Sequence, residues 1–507
     1  MAGAIFGALD YLTSYPYGCT EQTMSSFLPN IVVAQAIKKL GVKSKLKPGE
    51  LDQKVAAGLQ RLYSYQHDDG AWGWWKTDDD NIFMTAYVVQ GLGEARATGY
   101  STSDQGVEAI SKARKWLAGA LREDKKLNAD LLAYGTYALV LSREGDLSDD
   151  ATKDGSNAVE AAWKRRDALS PFGEAVLGLA LHKLKDSRAS ELASKLEQKA
   201  KQDDAQAWWP SGHDWLLDFD SDTTVESTAL ALKLLTAERP QSPLLGKAAQ
   251  FLVTHRNAGF WWDSTKQTAM VVFGLTDYMQ QSGELSGDFT AEVYVNDHQV
   301  LNKHFSPESG TQPAETIRLT VSQIGTSNAV RVVQRGKGRL YWSVRQQYYS
   351  TDSRVTNTGS FQLSLVREYF RLSPVQKDGR VIYHLEPMPA TLNVGDTIAV
   401  RLTVGGGNWR YLMVEDPILS GAESIPRDDL YELDQKPRWW SWWFTDRELH
   451  DNRTDFFQTW FASGQREYVY LLKVVNPGQF RISPARVEPM YQPGYMSTTD
   501  AKTVTVK

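Results

Sequence analysis

From Ile31 to Leu275 the chain alternates nearly unbroken apolar runs with amphipathic ones. The apolar runs are Ile31 to Leu40, Phe83 to Leu92, Leu131 to Leu141, Gly173 to Leu181, Val225 to Leu235 and Thr268 to Leu275. Between them lie polar segments such as Val107 to Leu121 and Arg188 to Lys201, with apolar residues at helical spacing. A helix without a polar face must be covered on both sides, whereas an amphipathic one needs cover on one side only. Small or aromatic positions recur at Ala86, Tyr137, Ala175, Ala229 and Ala269, with steps of about fifty and about forty residues. The pattern predicts six helix pairs in a closed ring, an α/α toroid with buried inner helices and amphipathic outer ones, over residues 1–285. The turns Gly70-Ala71-Trp72-Gly73-Trp74-Trp75, Trp208-Trp209-Pro210 and Gly259-Phe260-Trp261-Trp262 should gather at one rim and seal the gaps between helices.

From about Gly287 the period changes to two. Phe289, Ala291, Val293 and Val295 alternate with Thr290, Glu292 and Tyr294, and Ile317, Leu319 and Val321 follow the same rule. Gly336-Lys337-Gly338 predicts a hairpin turn, and the polar stretch Ser350 to Ser360 reads as a linker. Further strands are expected at Phe361 to Leu365, Ile398 to Val404, Trp409 to Val414, Tyr468 to Val474 and Phe480 to Ile482. Short alternating runs of this kind pack as antiparallel sandwiches. The fold class is therefore multidomain α + β, a toroid followed by antiparallel β-sandwich domains.

The charge balance is near neutral, net −5 over 507 residues, which argues against an electrostatic nucleic-acid footprint. No apolar run is long enough for a membrane span. The first residues lack the basic and apolar segments of a targeting signal, so none is expected. A single cysteine permits no internal disulfide and does not distinguish cytosol from periplasm.

That cysteine carries the candidate chemistry. Cys19 lies in Tyr15-Pro16-Tyr17-Gly18-Cys19-Thr20-Glu21-Gln22. If a helix begins near Thr20, Cys19 and Gln22 lie one above the other across its first turn. The sulfur can then reach the glutamine carbonyl and form an internal thioester, with ammonia lost from Gln22. A thiolate leaves more readily than an amine, so such a bond is a stored electrophile. A small buried apolar cysteine is the alternative that spacing alone leaves open.

Gly18-Cys19-Thr20-Glu21-Gln22 resembles the thioester motif of the α2-macroglobulin and complement family, usually Gly-Cys-Gly-Glu-Gln, with Thr20 at the second glycine. Tyr15-Pro16-Tyr17 resembles its bacterial form. The resemblance extends through Met413-Val414-Glu415-Asp416-Pro417, Asp446-Arg447-Glu448 and Val487-Glu488-Pro489-Met490-Tyr491-Gln492-Pro493. It implies a thioester domain at 1–285, the second half of a CUB-like domain at 286–350 and a receptor-binding-like domain at 351–507. It also implies the C-terminal portion of a larger periplasmic or cell-envelope protease inhibitor, whose remaining macroglobulin-like domains would be partners. In such a protein an amine of a trapped protease attacks the acyl carbon of Gln22 and Cys19 leaves, a single-use capture without cofactor or turnover. Tyr15, Tyr17 and Trp75, with Met490 and Tyr491 of the last domain, would shield the bond from water. Glu21 would orient the first turn. Some complement relatives redirect transfer to hydroxyls through a histidine. The corresponding stretch, Ala109 to Asp130, contains none, which favours direct attack by amines.

Two other readings stand beside this one. The toroid could be a non-covalent scaffold whose thioester is vestigial or hydrolysed. Gln66-His67-Asp68-Asp69-Gly70-Ala71-Trp72 also fits the Gln-x-x-x-Gly-x-Trp repeat of triterpene cyclases. Asp78-Asp79-Asp80-Asn81 does not supply the acid motif of those enzymes and reads instead as a solvated loop. No pair among His67, His182, His213 and His255 has metal-ligand spacing, so no metal is expected.

Overall fold

The computed structural model describes residues 5, 8, 12, 18–40, 50–100, 103–143, 149–216, 222–256, 261–283, 287–307, 315–342, 344, 363–434, 445–492 and 495–507. It divides into two compact units, Met1–Arg345 and Gln346–Lys507.

Eleven helices are present among the described residues of the first unit: α1 (Thr20–Leu40), α2 (Glu50–Tyr65), α3 (Ile82–Ala97), α4 (Asp104–Glu123), α5 (Ala129–Leu141), α6 (Asp149–Lys164), α7 (Pro171–Lys183), α8 (Arg188–Lys199), α9 (Thr224–Glu238), α10 (Leu244–Thr254) and α11 (Thr265–Gln281). Each odd-numbered helix packs on the next odd one, and α11 packs back on α1, so six inner helices close a ring. The even-numbered helices form the outer layer. Ile5, Ala8 and Leu12, helical and buried at three- and four-residue spacing, precede them. The inner helices are those with apolar runs. In α3 every residue from Phe83 to Gly93 is buried, whereas α4 buries only Gly106, Ala109, Ile110, Ala113, Arg114, Leu117 and Leu121. Close packing of inner helices depends on small residues. A Cβ on Gly274 in α11 would stand 2.3 Å from the Ala229 carbonyl oxygen of α9.

The tryptophan turns do more than seal gaps. Trp72, Trp209 and Trp262 are each fully buried. Each indole Nε1 donates to a carbonyl of the preceding outer helix: Leu62 at 2.8 Å, Leu196 at 2.7 Å and Leu252 at 2.8 Å. Each backbone N–H donates to a threonine Oγ1 of the following inner helix: Thr85 at 3.0 Å, Thr228 at 3.1 Å and Thr268 at 3.0 Å. The same clamp thus fastens three helix pairs. Every outer-to-inner turn falls at one rim, because successive helices reverse direction, and that rim holds the N-terminal ends of the inner helices. Buried charge collects there. Lys266 pairs with Asp214 and lies 3.2 Å from Glu226. Burial opposes its charge, but those two carboxylates hold it protonated.

A three-stranded antiparallel sheet follows, with Asp288–Val295 central between His298–Phe305 and Val330–Lys337. Two strand expectations fail here. Residues 315–320 are irregular and Val321–Gln323 form a 3-10 turn; the alternating Ile317 and Val321 are exposed and pair with no strand among the described residues. Gly336 and Gly338 have positive φ, but Gly338 to Trp342 form no strand, so the glycines end an edge rather than turn a hairpin. The polar stretch 350–360 lies outside the described residues.

The second unit is a sandwich of two five-stranded sheets. One runs Asp446–Leu449, Arg453–Phe461, Trp409–Pro417, Arg486–Pro489 and Ser497–Thr498. The other runs Ala422–Ser424, Gly464–Val474, Thr397–Gly406, Leu363–Lys377 and Arg380–Pro387. Leu365, Val400, Leu402 and Val404 meet Leu412, Val414, Phe456 and Val487 in the core between them. Within that core Arg367 donates to Asp416 at 2.5 Å, and Tyr470 satisfies the other carboxylate oxygen at 2.9 Å. A small third sheet joins Gly478–Ile482, Lys502–Val506 and Thr391–Leu392, the last pair parallel.

Candidate functional site

The Cys19 segment enters α1 as its N-terminal cap. The Cys19 carbonyl accepts from Thr23 N–H at 2.9 Å, and Thr20 is the first helical residue. Gln22, the third, reaches back so that its Oε1 accepts from Cys19 N–H at 3.3 Å. This is the reciprocal half of a capping box. It turns the glutamine amide back onto the Cys19 backbone N–H. Cys19, Thr20 and Glu21 are fully buried and Gln22 is 4% exposed. Two buried polar atoms here have no hydrogen bond among the described residues, Thr20 Oγ1 and Gln22 Nε2. The amide nitrogen that a thioester would expel thus has no partner among the described residues. Thr20 has helical backbone, so a side chain is accommodated where the family motif has glycine.

Gly18 is needed for close approach. Its carbonyl accepts from Arg61 Nε at 2.8 Å, and a Cβ there would stand 2.1 Å from the guanidinium. Arg61 also donates to the Tyr65 hydroxyl at 3.0 Å, and the Tyr65 ring tilts against Trp75 with centroids 6.4 Å apart. Glu21 ties the ring shut. Its carboxylate accepts from Ser25 Oγ at 2.5 Å, and both its oxygens accept from Thr265 Oγ1 of α11 at 2.9 Å. Thus the motif glutamate fixes α1 to the last inner helix, a longer reach than orienting its own first turn.

The neighbouring turn supports the motif from the other side. Thr20 N–H donates to the Trp74 carbonyl at 2.9 Å. Asp78 accepts from Trp74 N–H at 2.8 Å and Trp75 N–H at 3.0 Å. The acidic run is therefore no solvated loop at Asp78, because only a half-buried acceptor can satisfy those two amides. Burial pushes the Asp78 carboxyl above its ordinary range, against the pull of its hydrogen bonds. His67 holds the same turn, with Nδ1 2.6 Å from Asp80 Oδ1 and Nε2 3.1 Å from the Trp75 carbonyl. Burial opposes its charge, but Asp80, the Trp75 carbonyl and Asp78 outweigh this and raise its pKa. An acceptor on each ring nitrogen stabilises the imidazolium. His67, Asp69 and Asp80 also cluster closely enough to hold a cation, but both carboxylates are exposed and Asp69 already accepts from Ala71 N–H at 3.1 Å.

The expected shielding residues divide. Trp75 is buried in this turn. Tyr15 and Tyr17 lie outside the described residues. Met490 and Tyr491 belong to the second unit, where Met490 N–H donates to the Tyr411 carbonyl at 2.9 Å and Tyr491 packs edge-on against Tyr411. Sequence reasoning missed Arg61, His67, Asp78 and Thr265. Only the position of Asp78 just after paired tryptophans could have signalled one of them.

Comparison with known proteins fits this geometry. The family model described as "A-macroglobulin TED domain" matches residues 2–278, and "Bacterial Alpha-2-macroglobulin MG10 domain" matches residues 344–494. The chain is 27% identical over 283 residues to an α2-macroglobulin of Thermotoga maritima, covering 54% of this chain and 14% of that protein. It is 25% identical over 535 residues to α2-macroglobulin of Escherichia coli, covering 97% of this chain but 28% of that protein. The crystal structure of Salmonella α2-macroglobulin reacted with methylamine superimposes with a TM-score of 0.65 at 20% identity, over 99% of this chain and 31% of that one. The chain belongs to the α2-macroglobulin family and corresponds to the C-terminal portion of a bacterial member.

Proposed function

We propose that this chain is the reactive portion of a bacterial protease trap, in which Cys19 and Gln22 form an internal thioester. The observation that carries the reading is the Gln22 amide, turned back on Cys19 in a buried site with its nitrogen unpartnered. Attack of the Cys19 sulfur on the amide carbon forms the thioester and releases ammonia. Attack of an amine then forms a stable amide at Gln22, and the thiol returns to Cys19. The helix N-terminus favours the negative charge that develops on the leaving sulfur. Exclusion of water by the Trp74–Trp75 turn preserves the bond until it is used. The Salmonella relative, which has been reacted with methylamine, supports amines as the nucleophile class.

The proposed targets are proteases captured through surface amines, and the proposed partners are the remaining domains of the parent protein. Its place would be the periplasm or cell envelope. Three parts are proposed: a thioester domain at 1–285, half of a CUB-like domain at 286–350 and a receptor-binding-like domain at 351–507. Met490 and Tyr491, with Tyr15 and Tyr17, are proposed as further shields. Methylamine labelling tests the reading. Incorporation at Gln22 with a new thiol at Cys19 supports it, whereas a thiol present from the start and an inert Gln22 would favour the scaffold.

A further inference from the structure

In the second unit a row of charged residues crosses one sheet. Glu448, Asp455, Glu415 and Arg486 are successive cross-strand partners on four adjacent strands. Like charges directly opposite one another are destabilising; Arg453, 2.8 Å from Asp455 and 3.8 Å from Glu415, offsets that pair, and Arg486 stands 3.5 Å from Glu415. The turn after Glu448 brings His450 over the first two. Its Nε2 stands 3.2 Å from Glu448 Oε2 and 3.2 Å from Asp455 Oδ2. Only the Glu448 contact has hydrogen-bond geometry. The Asp455 approach lacks that geometry, so a hydrogen bond accounts for only one of the two contacts.

We propose that Glu448, His450 and Asp455 form a binding site for a first-row divalent transition ion such as Zn2+. One imidazole and two carboxylates suit that class of ion and leave a position for water. Ligands about 2.0–2.2 Å from a common ion lie about 3.0–3.5 Å apart, and the two 3.2 Å approaches fall in that range. A second observation points the same way. Asp455 is fully buried, and its Oδ1 has no hydrogen bond among the described residues. That oxygen gives the carboxylate capacity for two-point coordination. Arg453 Nε donates to Asp455 Oδ2 at 2.8 Å and fixes the orientation of the carboxylate. The cluster at His67 offers no equivalent, because both of its carboxylates, Asp69 and Asp80, are exposed. A search for paired histidines overlooks such a site, since it has one histidine and draws its carboxylates from two strands. The bound ion would clamp Asp446–Leu449 onto Arg453–Phe461 and make the β unit harder to unfold.

The test is calorimetric titration of the metal-stripped full chain with Zn2+, followed by denaturation of each form. One equivalent of Zn2+ should bind and raise the unfolding midpoint of the β unit. His450→Ala, at a partly exposed turn, should weaken binding by at least about 10-fold and abolish that rise. Glu448→Gln should weaken it as well, and Asp69→Asn, in the other cluster, should leave it unchanged. No binding by the wild-type chain, or equal affinity in His450→Ala, overturns the proposal. Loss of binding in Asp69→Asn alone moves the ion elsewhere and overturns it too.

Discussion

Replacing Asp78 with alanine removes one carboxylate that satisfies two backbone amides, Trp74 N–H and Trp75 N–H. Hydrogen bonds to a charged group contribute about 1.5–3 kcal/mol each. Asp78 is half buried, and desolvation of its charge offsets part of that gain, so the pair together is worth about 2–3 kcal/mol to this turn. At about 1.4 kcal/mol per factor of ten, the open population of the turn rises about 30- to 150-fold. The effect is local, since α2 and α3 remain clamped through Trp72. Hydrogen exchange at Trp74 and Trp75 should accelerate by that factor, and Thr20 N–H, bonded to the Trp74 carbonyl, should follow. Methylamine uptake should quicken in parallel while the global unfolding midpoint moves little. Asp78→Asn, which retains an acceptor, should fall between. Unchanged exchange and uptake in Asp78→Ala would refute the claim that this turn guards the motif.

Trp209→Phe loses the bond to the Leu196 carbonyl and leaves a small void in a fully buried site. Chemical denaturation should show a loss of about 2–3 kcal/mol, against a smaller loss for the half-buried Trp208→Phe. Glu21→Ala removes the acceptor of the Thr265 hydroxyl and leaves Ser25 only its contact with the Tyr87 hydroxyl, and the same assay should show a loss of about 2–3 kcal/mol, concentrated at the α1–α11 closure in exchange data. The raised pKa of His67 means its contribution is complete below its unfolded value of about 6.5 and lost as pH rises through the folded one. Exchange in the Trp75 turn, corrected for intrinsic rates, should therefore increase with pH above about 6.5, and His67→Gln should flatten that dependence.

The inner helices were legible because burial on both sides leaves no polar face to interrupt the apolar run, as in α3. The outer helices were legible from periodicity, as in α4. Cys19 and Gln22 could be paired from spacing because the contact lies within one helical turn. Thr265 could not be paired with Glu21, which lies 244 residues away and meets it only through closure of the ring. Asp78 was misread because a charge run in a turn resembles solvated sequence, and nothing in the letters shows that two amides need its carboxylate. Ile317 and Val321 show the opposite error, since alternation makes a strand only where a partner strand exists.

The central claim is the bond between Cys19 and Gln22, and intact mass tests it most directly. The account predicts that freshly purified protein, taken within the domains of its parent and never exposed to amines, is lighter than its sequence by one ammonia. Methylamine should add one equivalent at Gln22 while one thiol is released at Cys19. Protein of full sequence mass, with a reactive thiol from the outset and no methylamine uptake at Gln22, would contradict it.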